Sequence, residues 1–206
     1  GGNYNVLVGD EAGTALTTGD NNVAVGFDAL KSEDEHGDNV AVGFEALTAL
    51  NAGAAGKNTA LGYRAGKGLT TGKQNVLVGA VAGDALTEAD DNVVVGRSAV
   101  GTDTLGSKTT AVGRAALATQ NFTTATDTLN VAVGYYAGNA VTTGIQNTFI
   151  GAYSGDAVTD ADFNVAVGTY SLTDNTLGSF SVGVGWGALF AQNPATATNM
   201  YNTAVG

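Results

Sequence analysis

The only histidine of the chain lies in a strongly acidic loop, where it could serve as a metal ligand or as a general base. His36 follows Glu33, Asp34 and Glu35 and precedes Asp38 by two residues. Carboxylates beside an imidazole are common metal ligands and common partners of a catalytic base. A solvated charged loop accounts for the same residues, and a serine, histidine and aspartate triad is not credible with its histidine placed there. We therefore predict no catalytic residue and no enzymatic activity.

Aspartates in the links of the chain offer oxygen ligands of the kind that calcium prefers. Asp90 and Asp91 form one cluster, and Asp156, Asp160 and Asp162 form another. Neither cluster has the spacing of an EF-hand loop or the glycine-aspartate nonapeptide of calcium-binding β-rolls. We predict no metal site and no cofactor, with calcium binding as the open alternative.

Two glycine-lysine pairs superficially resemble phosphate-binding loops. Gly66-Lys67 and Gly72-Lys73 both lack the G-x-x-x-x-G-K-[ST] spacing of a P-loop. The formal net charge of −11 is also unfavourable for nucleic acid, because a phosphate backbone requires a basic face. No apolar run approaches the ~20 residues of a membrane span. We therefore predict neither a nucleic-acid partner nor membrane insertion.

Aromatic side chains recur directly after glycines, and aligned aromatic rings could contact sugars. The members of this row are Phe27, Phe44, Tyr63, Tyr135 and Trp186. Structural covering of an exposed edge is the simpler interpretation of such a row. A stripe that contacts glycans is the alternative.

The elements that position these residues come from one short phrase, Asn-Val-Ala-Val-Gly and its variants, which occurs twelve times. The closing glycines run from Gly9 to Gly206, and successive glycines are 17, 19 or 21 residues apart. A repeat this regular indicates a solenoid, in which each unit stacks on its neighbours. We call each unit a coil and number its residues from the asparagine, which is position one.

Both faces of the repeated phrase are apolar. Position two is Val or Thr in every coil, position four is Val, Leu or Ile, and position three is never polar. Alternate residues of a strand face opposite sides, and a strand with one face in water would alternate apolar and polar residues. We therefore expect burial on both sides, with one face in the narrow core of the coil and the other against a second chain.

We predict that position three forms the interface between chains and that the protein is an obligate homo-oligomer. The alanine that prevails there would let neighbouring backbones approach closely. In the alternative arrangement, position three faces the internal core and the valines of position two lie outside, where they would again need a partner. The predicted interface residues are Leu7, Ala24, Ala41, Ala60, Leu77, Val94, Ala111, Ala132, Phe149, Ala166 and Ala204.

Position one is asparagine in ten of the twelve coils, with Thr109 and Ser181 in the other two. Asparagine favours turns, and stacked asparagines can form a ladder of side-chain hydrogen bonds. We interpret the row as a structural ladder, and a ligand-binding row is the alternative. Its members are Asn5, Asn22, Asn39, Asn58, Asn75, Asn92, Asn130, Asn147, Asn164 and Asn202.

A longer period of four coils is superimposed on the short one. Residues after the closing glycine recur in similar form every fourth coil. This divides one elongated domain, residues 1–206, into super-repeats of about 5–74, 75–146 and 147–206. The third super-repeat stops partway through its fourth coil, which we interpret as the end of a fragment of a longer array.

The NVAVG and NTAVG phrases, each followed by a segment of small residues, resemble the head repeats of trimeric autotransporter adhesins and similar repeats in bacteriophage tail fibres. That resemblance implies a left-handed parallel β-roll, packed as a homotrimer around a common axis. Coils in those heads are commonly shorter than the 17 to 21 residues found here, which implies larger outer loops. We thus predict an all-β fold, a parallel β-roll (β-solenoid) of about twelve coils.

This fold predicts a structural or adhesive fibre segment, placed outside the cell, on its surface or on a virion. We expect self-association as a homotrimer or filament, and contact with a host-surface glycan or protein. The chain has no cysteine, so disulfides cannot stabilise it. The alternatives are a polysaccharide-acting β-helix enzyme, which needs a carboxylate cluster that breaks the repeat, and an ice-binding solenoid, which needs a flat face of threonines.

Overall fold

Short strands are the only regular secondary structure of the computed structural model, which describes residues 2–206. None of these residues lies in a helix. The strands are β1 (Val6–Val8), β2 (Val23–Val25), β3 (Val40–Val42), β4 (Thr59–Leu61), β5 (Val76–Val78), β6 (Val93–Val95), β7 (Gly106–Ser107), β8 (Thr110–Val112), β9 (Thr126–Asp127), β10 (Val131–Val133), β11 (Thr148–Ile150), β12 (Val165–Val167), β13 (Gly178–Ser179), β14 (Val182–Val184), β15 (Thr198–Asn199) and β16 (Thr203–Val205).

Twelve of these strands form one parallel sheet, in which each strand pairs with the next copy of the repeated phrase. The register joins equivalent positions, since Val23 lies opposite Val40 and Ala24 opposite Ala41. The pairs β7–β9 and β13–β15 lie in the links between these strands. The chain is therefore an all-β parallel β-solenoid of about twelve turns, which confirms that part of the prediction.

The rest of each coil is also hydrogen-bonded to its neighbours. The amide of Gly66 donates to the carbonyl of Ala82 at 3.0 Å. The amide of Thr70 donates to the carbonyl of Thr87 at 2.9 Å. Stacking thus satisfies backbone groups along the links as well as along the strands, as a tightly packed chain requires.

The glycine at position five sets how closely the coils stack. Gly62 has a φ of +144°, and a Cβ atom there would lie 2.4 Å from the carbonyl oxygen of Gly79 in the next coil. A side chain would therefore collide with the backbone of the neighbouring coil, besides straining its own. The chain turns after this glycine. Some residues of the turns are not glycine but still adopt left-handed backbone angles, such as Arg64 with a φ of 56° and Leu47 with a φ of 49°.

Position three faces the interior of the chain's own coil, and this corrects the predicted interface. A side chain with no exposed surface in a single chain cannot contact another chain. The residues with no exposed surface are Ala24, Ala41, Ala60, Leu77, Val94, Ala111, Ala132, Phe149 and Ala166. Leu7, which is 43% exposed, and the half-buried Ala204 belong to the first and last strands of the sheet. The alternative arrangement, with positions two and four outside, is the one observed.

The four-coil period reflects how large and small side chains share the core. Leu77, at position three, is fully buried against the position-nine glycines of its own and the preceding coil. A Cβ on Gly66 or Gly83 would come within 2.5 or 2.9 Å of the Leu77 side chain. Phe149 occupies the equivalent place in the third super-repeat. In the coil of Ala24, position nine holds the large Leu30 instead. In the coil of Ala60, position nine is Gly66, and Leu77 of the next coil occupies the space, so the core volume stays filled.

Candidate functional surfaces

Positions two and four form an apolar face on the outside of the twelve-stranded sheet. Among its members, Leu61 is 49% exposed, Val93 39% and Ile150 40%. Every residue at these positions is Val, Thr, Leu or Ile, so the face carries no charge. Strands about 4.8 Å apart align these side chains in two regular columns. A regular, uncharged and exposed face of this size fits contact with another surface.

The asparagine row forms a hydrogen-bonded ladder at the start of the strands. Oδ1 of Asn58 accepts from the backbone amide of Asn75 at 3.0 Å, and its Nδ2 donates to the carbonyl of Gly72 at 2.9 Å. The members with no exposed surface are Asn22, Asn39, Asn58, Asn75, Asn92, Asn130, Asn147 and Asn164. Asn5 is half-buried and Asn202 is exposed. The side-chain oxygens of these residues all accept hydrogen bonds within the stack, and every side-chain nitrogen except Nδ2 of Asn164 donates within it. The buried row is therefore not placed to bind a ligand.

Where the ladder lacks an asparagine, a glutamine in the same coil donates to the hydroxyl of the residue at position one. Gln120 is fully buried and donates to the hydroxyl of Thr109 at 3.1 Å and to the carboxylate of Asp103 at 2.6 Å. Gln192 likewise donates to the hydroxyl of Ser181 at 2.9 Å. This network was not predicted from the sequence. The signal was present, because glutamine occurs at position twelve in the two coils whose position one is not asparagine.

The predicted aromatic row divides into two groups. Phe27, Phe44 and Tyr63 stack with ring centroids 5.3 and 5.4 Å apart. Tyr135 and Trp186 lie in later coils, where they pack against other tyrosines. Because stacked rings cover one another's faces, the first group presents mainly ring edges to solvent. This arrangement suits covering of the coil edge better than contact with the face of a sugar ring.

Four tyrosines form the tyrosine cluster, which we define as Tyr135, Tyr136, Tyr153 and Tyr170. Tyr136, Tyr153 and Tyr170 occupy position seven of successive coils, and their rings stack at 5.8 and 5.3 Å. Tyr135 contacts Tyr136 at 4.6 Å and Tyr153 at 5.5 Å. Burial raises the pKa of Tyr153. Trp186 packs edge-on against Tyr170 at 6.2 Å and is 73% exposed. Of the four tyrosines, only Tyr135 belonged to the predicted aromatic row, although the other three are 17 residues apart in the sequence.

Glu33 and His36 meet in the acidic loop, but in an arrangement that closes a turn. Glu33 is fully buried, and its Oε1 accepts from the backbone amide of His36 at 3.2 Å and lies 3.4 Å from Nδ1. Together with Asp34, these side chains could offer ligand atoms within 4.8 Å of one another. Asp103 and Asn175 hold the equivalent position in the other super-repeats, and each accepts from the amide three residues later. Since an asparagine does the same, the arrangement does not require a metal ion.

The aspartates considered for calcium are occupied by separate hydrogen bonds. Asp90 accepts from the amide of Lys73 at 2.7 Å, and Asp162 accepts from the amide of Ile145 at 2.8 Å. Asp91 is exposed. Within residues 2–206, the group of Glu33 is the only set of three acidic or histidine side chains close enough to share an ion. The structure therefore does not bring the two predicted aspartate clusters together as ligand sets.

Two aspartates of one coil have pKa values shifted in opposite directions. Burial raises the pKa of Asp156, whose Oδ1 is buried without a hydrogen-bond partner. The hydroxyls of Thr142 and Thr143 donate to Asp160 and lower its pKa. Ionised Asp156 thus destabilises the fold at neutral pH, and ionised Asp160 stabilises it.

Residues 2–206 enclose no cavity or cleft, and no helix among them is long and apolar enough to cross a membrane. No protein-family model, no curated protein and no solved structure matches the chain. The exposed sheet face and the aromatic clusters are therefore the surfaces on which a functional proposal rests.

Proposed function

We propose that the protein is a structural segment of an extracellular fibre that self-associates through the outer face of its sheet. The observation that carries the proposal is the row of exposed and half-buried side chains, mostly aliphatic, at positions two and four. Burying apolar surface contributes roughly 25 cal/mol per Å², and twelve strands about 4.8 Å apart give this face a length near 55 Å. A second copy of the same face is the simplest surface that matches it in length and regularity.

Three left-handed copies around a common axis are the assembly that we favour. The support is the resemblance of the NVAVG phrases to adhesin head repeats, together with the in-register pairing of equivalent positions along the sheet. Such an assembly would bury positions two and four and leave the links and aromatic clusters outside. The outer surface could then contact a glycan or protein of a host, on a cell surface or a virion. No catalytic group, cofactor or nucleic acid takes part in this role.

The test combines the mass of the particle in solution with a variant of the sheet face. Light scattering behind size exclusion should give about three times the chain mass of 20.4 kDa. Val93→Lys with Val95→Lys should reduce the mass to that of one chain, because charges would then lie in the seam. Thr71→Lys, in an exposed link, is the matched control and should leave the mass unchanged. A folded wild-type monomer would overturn the proposal.

The same face supports one other function, binding to ice. Its two columns of β-branched and aliphatic residues lie at regular intervals on an uncharged surface. Threonine occurs at position two in only some coils, namely at Thr59, Thr110, Thr148 and Thr203. Thermal hysteresis of the wild type, lost in the Val93→Lys and Val95→Lys variant, would support this function. A monomer without hysteresis would exclude it.

A further inference from the structure

We propose that the tyrosine cluster is a site of oxidative cross-linking, in which a dityrosine bond between Tyr153 and Tyr170 joins two successive coils. The rings of these two residues lie 5.3 Å apart and within 8° of parallel. Both side chains start from position seven of successive coils, and both are half-buried. Neither needs a second chain to find its partner.

The clustering of tyrosines is specific to this part of the molecule. The chain has seven tyrosines, and four of them lie in the tyrosine cluster. Of the others, Tyr63 stacks on Phe44 and Tyr201 on Phe180. Tyr4 is 86% exposed. Each of these three tyrosines can form dityrosine only with a tyrosine that its ring does not already contact.

The reaction requires a one-electron oxidant, and we name a peroxidase with hydrogen peroxide as its class. Each phenol loses one electron and its hydroxyl proton, which gives two phenoxyl radicals. A carbon–carbon bond then forms between one ortho carbon of each ring, and the two ortho hydrogens move to the oxygens as the rings regain aromaticity. One hydrogen peroxide is reduced to two water molecules, so two electrons and two protons balance.

Proximity favours this coupling over coupling between chains. Holding two reacting groups together replaces a bimolecular encounter by a unimolecular step. The rings must tilt to bring their ortho carbons into contact, which their partly exposed positions at the coil surface permit. In a chain without cysteine, such a bond would be a covalent link between stacked coils in an oxidising environment.

The experiment treats the purified protein, at low concentration, with peroxidase and hydrogen peroxide. Dityrosine is then measured by its fluorescence and located by mass spectrometry of proteolytic peptides. We expect an intramolecular link between the peptides of Tyr153 and Tyr170 and a raised unfolding temperature. Few covalent dimers or larger species should form. Tyr170→Phe should lower the yield at least twofold, because phenylalanine lacks the hydroxyl that is oxidised.

Tyr63→Phe is the matched control, since it removes a stacked tyrosine that has no tyrosine partner, and it should leave the yield unchanged. Circular dichroism of both variants checks that the fold is kept. Links that map to the more exposed Tyr4 and Tyr201, or that occur only between chains, would show that accessibility decides the coupling and would overturn the proposal. A Tyr170→Phe variant with an undiminished yield would overturn it as well.

Discussion

At the scale of single residues, the glycine at position five is the least replaceable part of the coil. Gly62→Ala should lower the free energy of unfolding by about 2–3 kcal/mol, because it combines backbone strain with a collision against Gly79. Gly53 separates the two effects, since it also has a positive φ, of +63°, but a Cβ there would meet nothing within 4 Å. Gly53→Ala should cost only about 1 kcal/mol. Equal losses in urea unfolding would show that close stacking of the coils is unimportant.

The two shifted aspartates predict opposite dependences on pH. Burial raises the folded-state pKa of Asp156 above its ordinary value of 3.8, so ionisation weakens the fold as the pH rises through the raised pKa. Asp156→Asn should therefore stabilise the protein at pH 7 and have little effect below the ordinary pKa. Asp160 has a lowered pKa, so its stabilisation is present above the ordinary value and is lost as the pH falls through the lowered one. Asp160→Asn should destabilise at pH 7.

Thermal unfolding of both variants, from pH 7 down to below the ordinary carboxyl pKa, checks the direction of each stability change. Each change should stay below about 1 kcal/mol, because water screens carboxylates that are not fully buried. Shifts of the same sign at pH 7 would contradict the assigned causes.

At the scale of elements, the coil that begins at Thr109 lacks a ladder asparagine. Its positions one and twelve should be strongly coupled in their effects on stability. Gln120→Leu should cost about 1–3 kcal/mol, because it leaves Oδ2 of the buried Asp103 without a partner and removes one hydrogen bond to the hydroxyl of Thr109. The equivalent coil of the first super-repeat combines Asn39 with Leu50. Thr109→Asn combined with Gln120→Leu should thus recover part of the loss. Chemical denaturation of the four proteins of the cycle measures a coupling of about 0.5–3 kcal/mol, and simple additivity would contradict it.

The strands were predictable from sequence because the phrase recurs at regular intervals with Val or Thr at position two and Val, Leu or Ile at position four. The side on which each residue lies was not, because the apolar residues at positions two, three and four give no polar marker of the outside. Alanine at position three indicated close packing, and the close neighbour proved to be the same chain, as at Ala24. The glutamine network and the tyrosine cluster depend on contacts between coils, where position twelve or seven meets its neighbours. A pattern read within one coil does not show such contacts.

At the scale of the whole molecule, stability should propagate from coil to coil. Side chains and amides bond to the coils directly before and after, as Asn58 does to Asn39 and Asn75. In such an array the stability of each unit depends on itself and its neighbours. A defect in one coil should therefore weaken nearby coils more than distant ones.

Phe149 is the residue at which this local propagation can be measured. It is fully buried and lies against Gly138 of the preceding coil and Gly155 of its own coil. Phe149→Ala should lower the free energy of unfolding by about 3–5 kcal/mol through the cavity it leaves. Phe149→Leu is the matched control, because leucine fills the equivalent place at Leu77, and it should cost less than about 1.5 kcal/mol.

Hydrogen exchange followed by mass spectrometry resolves where the loss in Phe149→Ala falls. Peptides from residues 131–167 should exchange faster than in the wild type, because those coils line the cavity or stack directly on the coil that contains it. Peptides around Val40 and Thr59 should change little, since several intact coils separate them from the defect. A uniform increase along residues 2–206 would show instead that the solenoid opens as a single cooperative unit, and nearest-neighbour stacking would then not describe its stability.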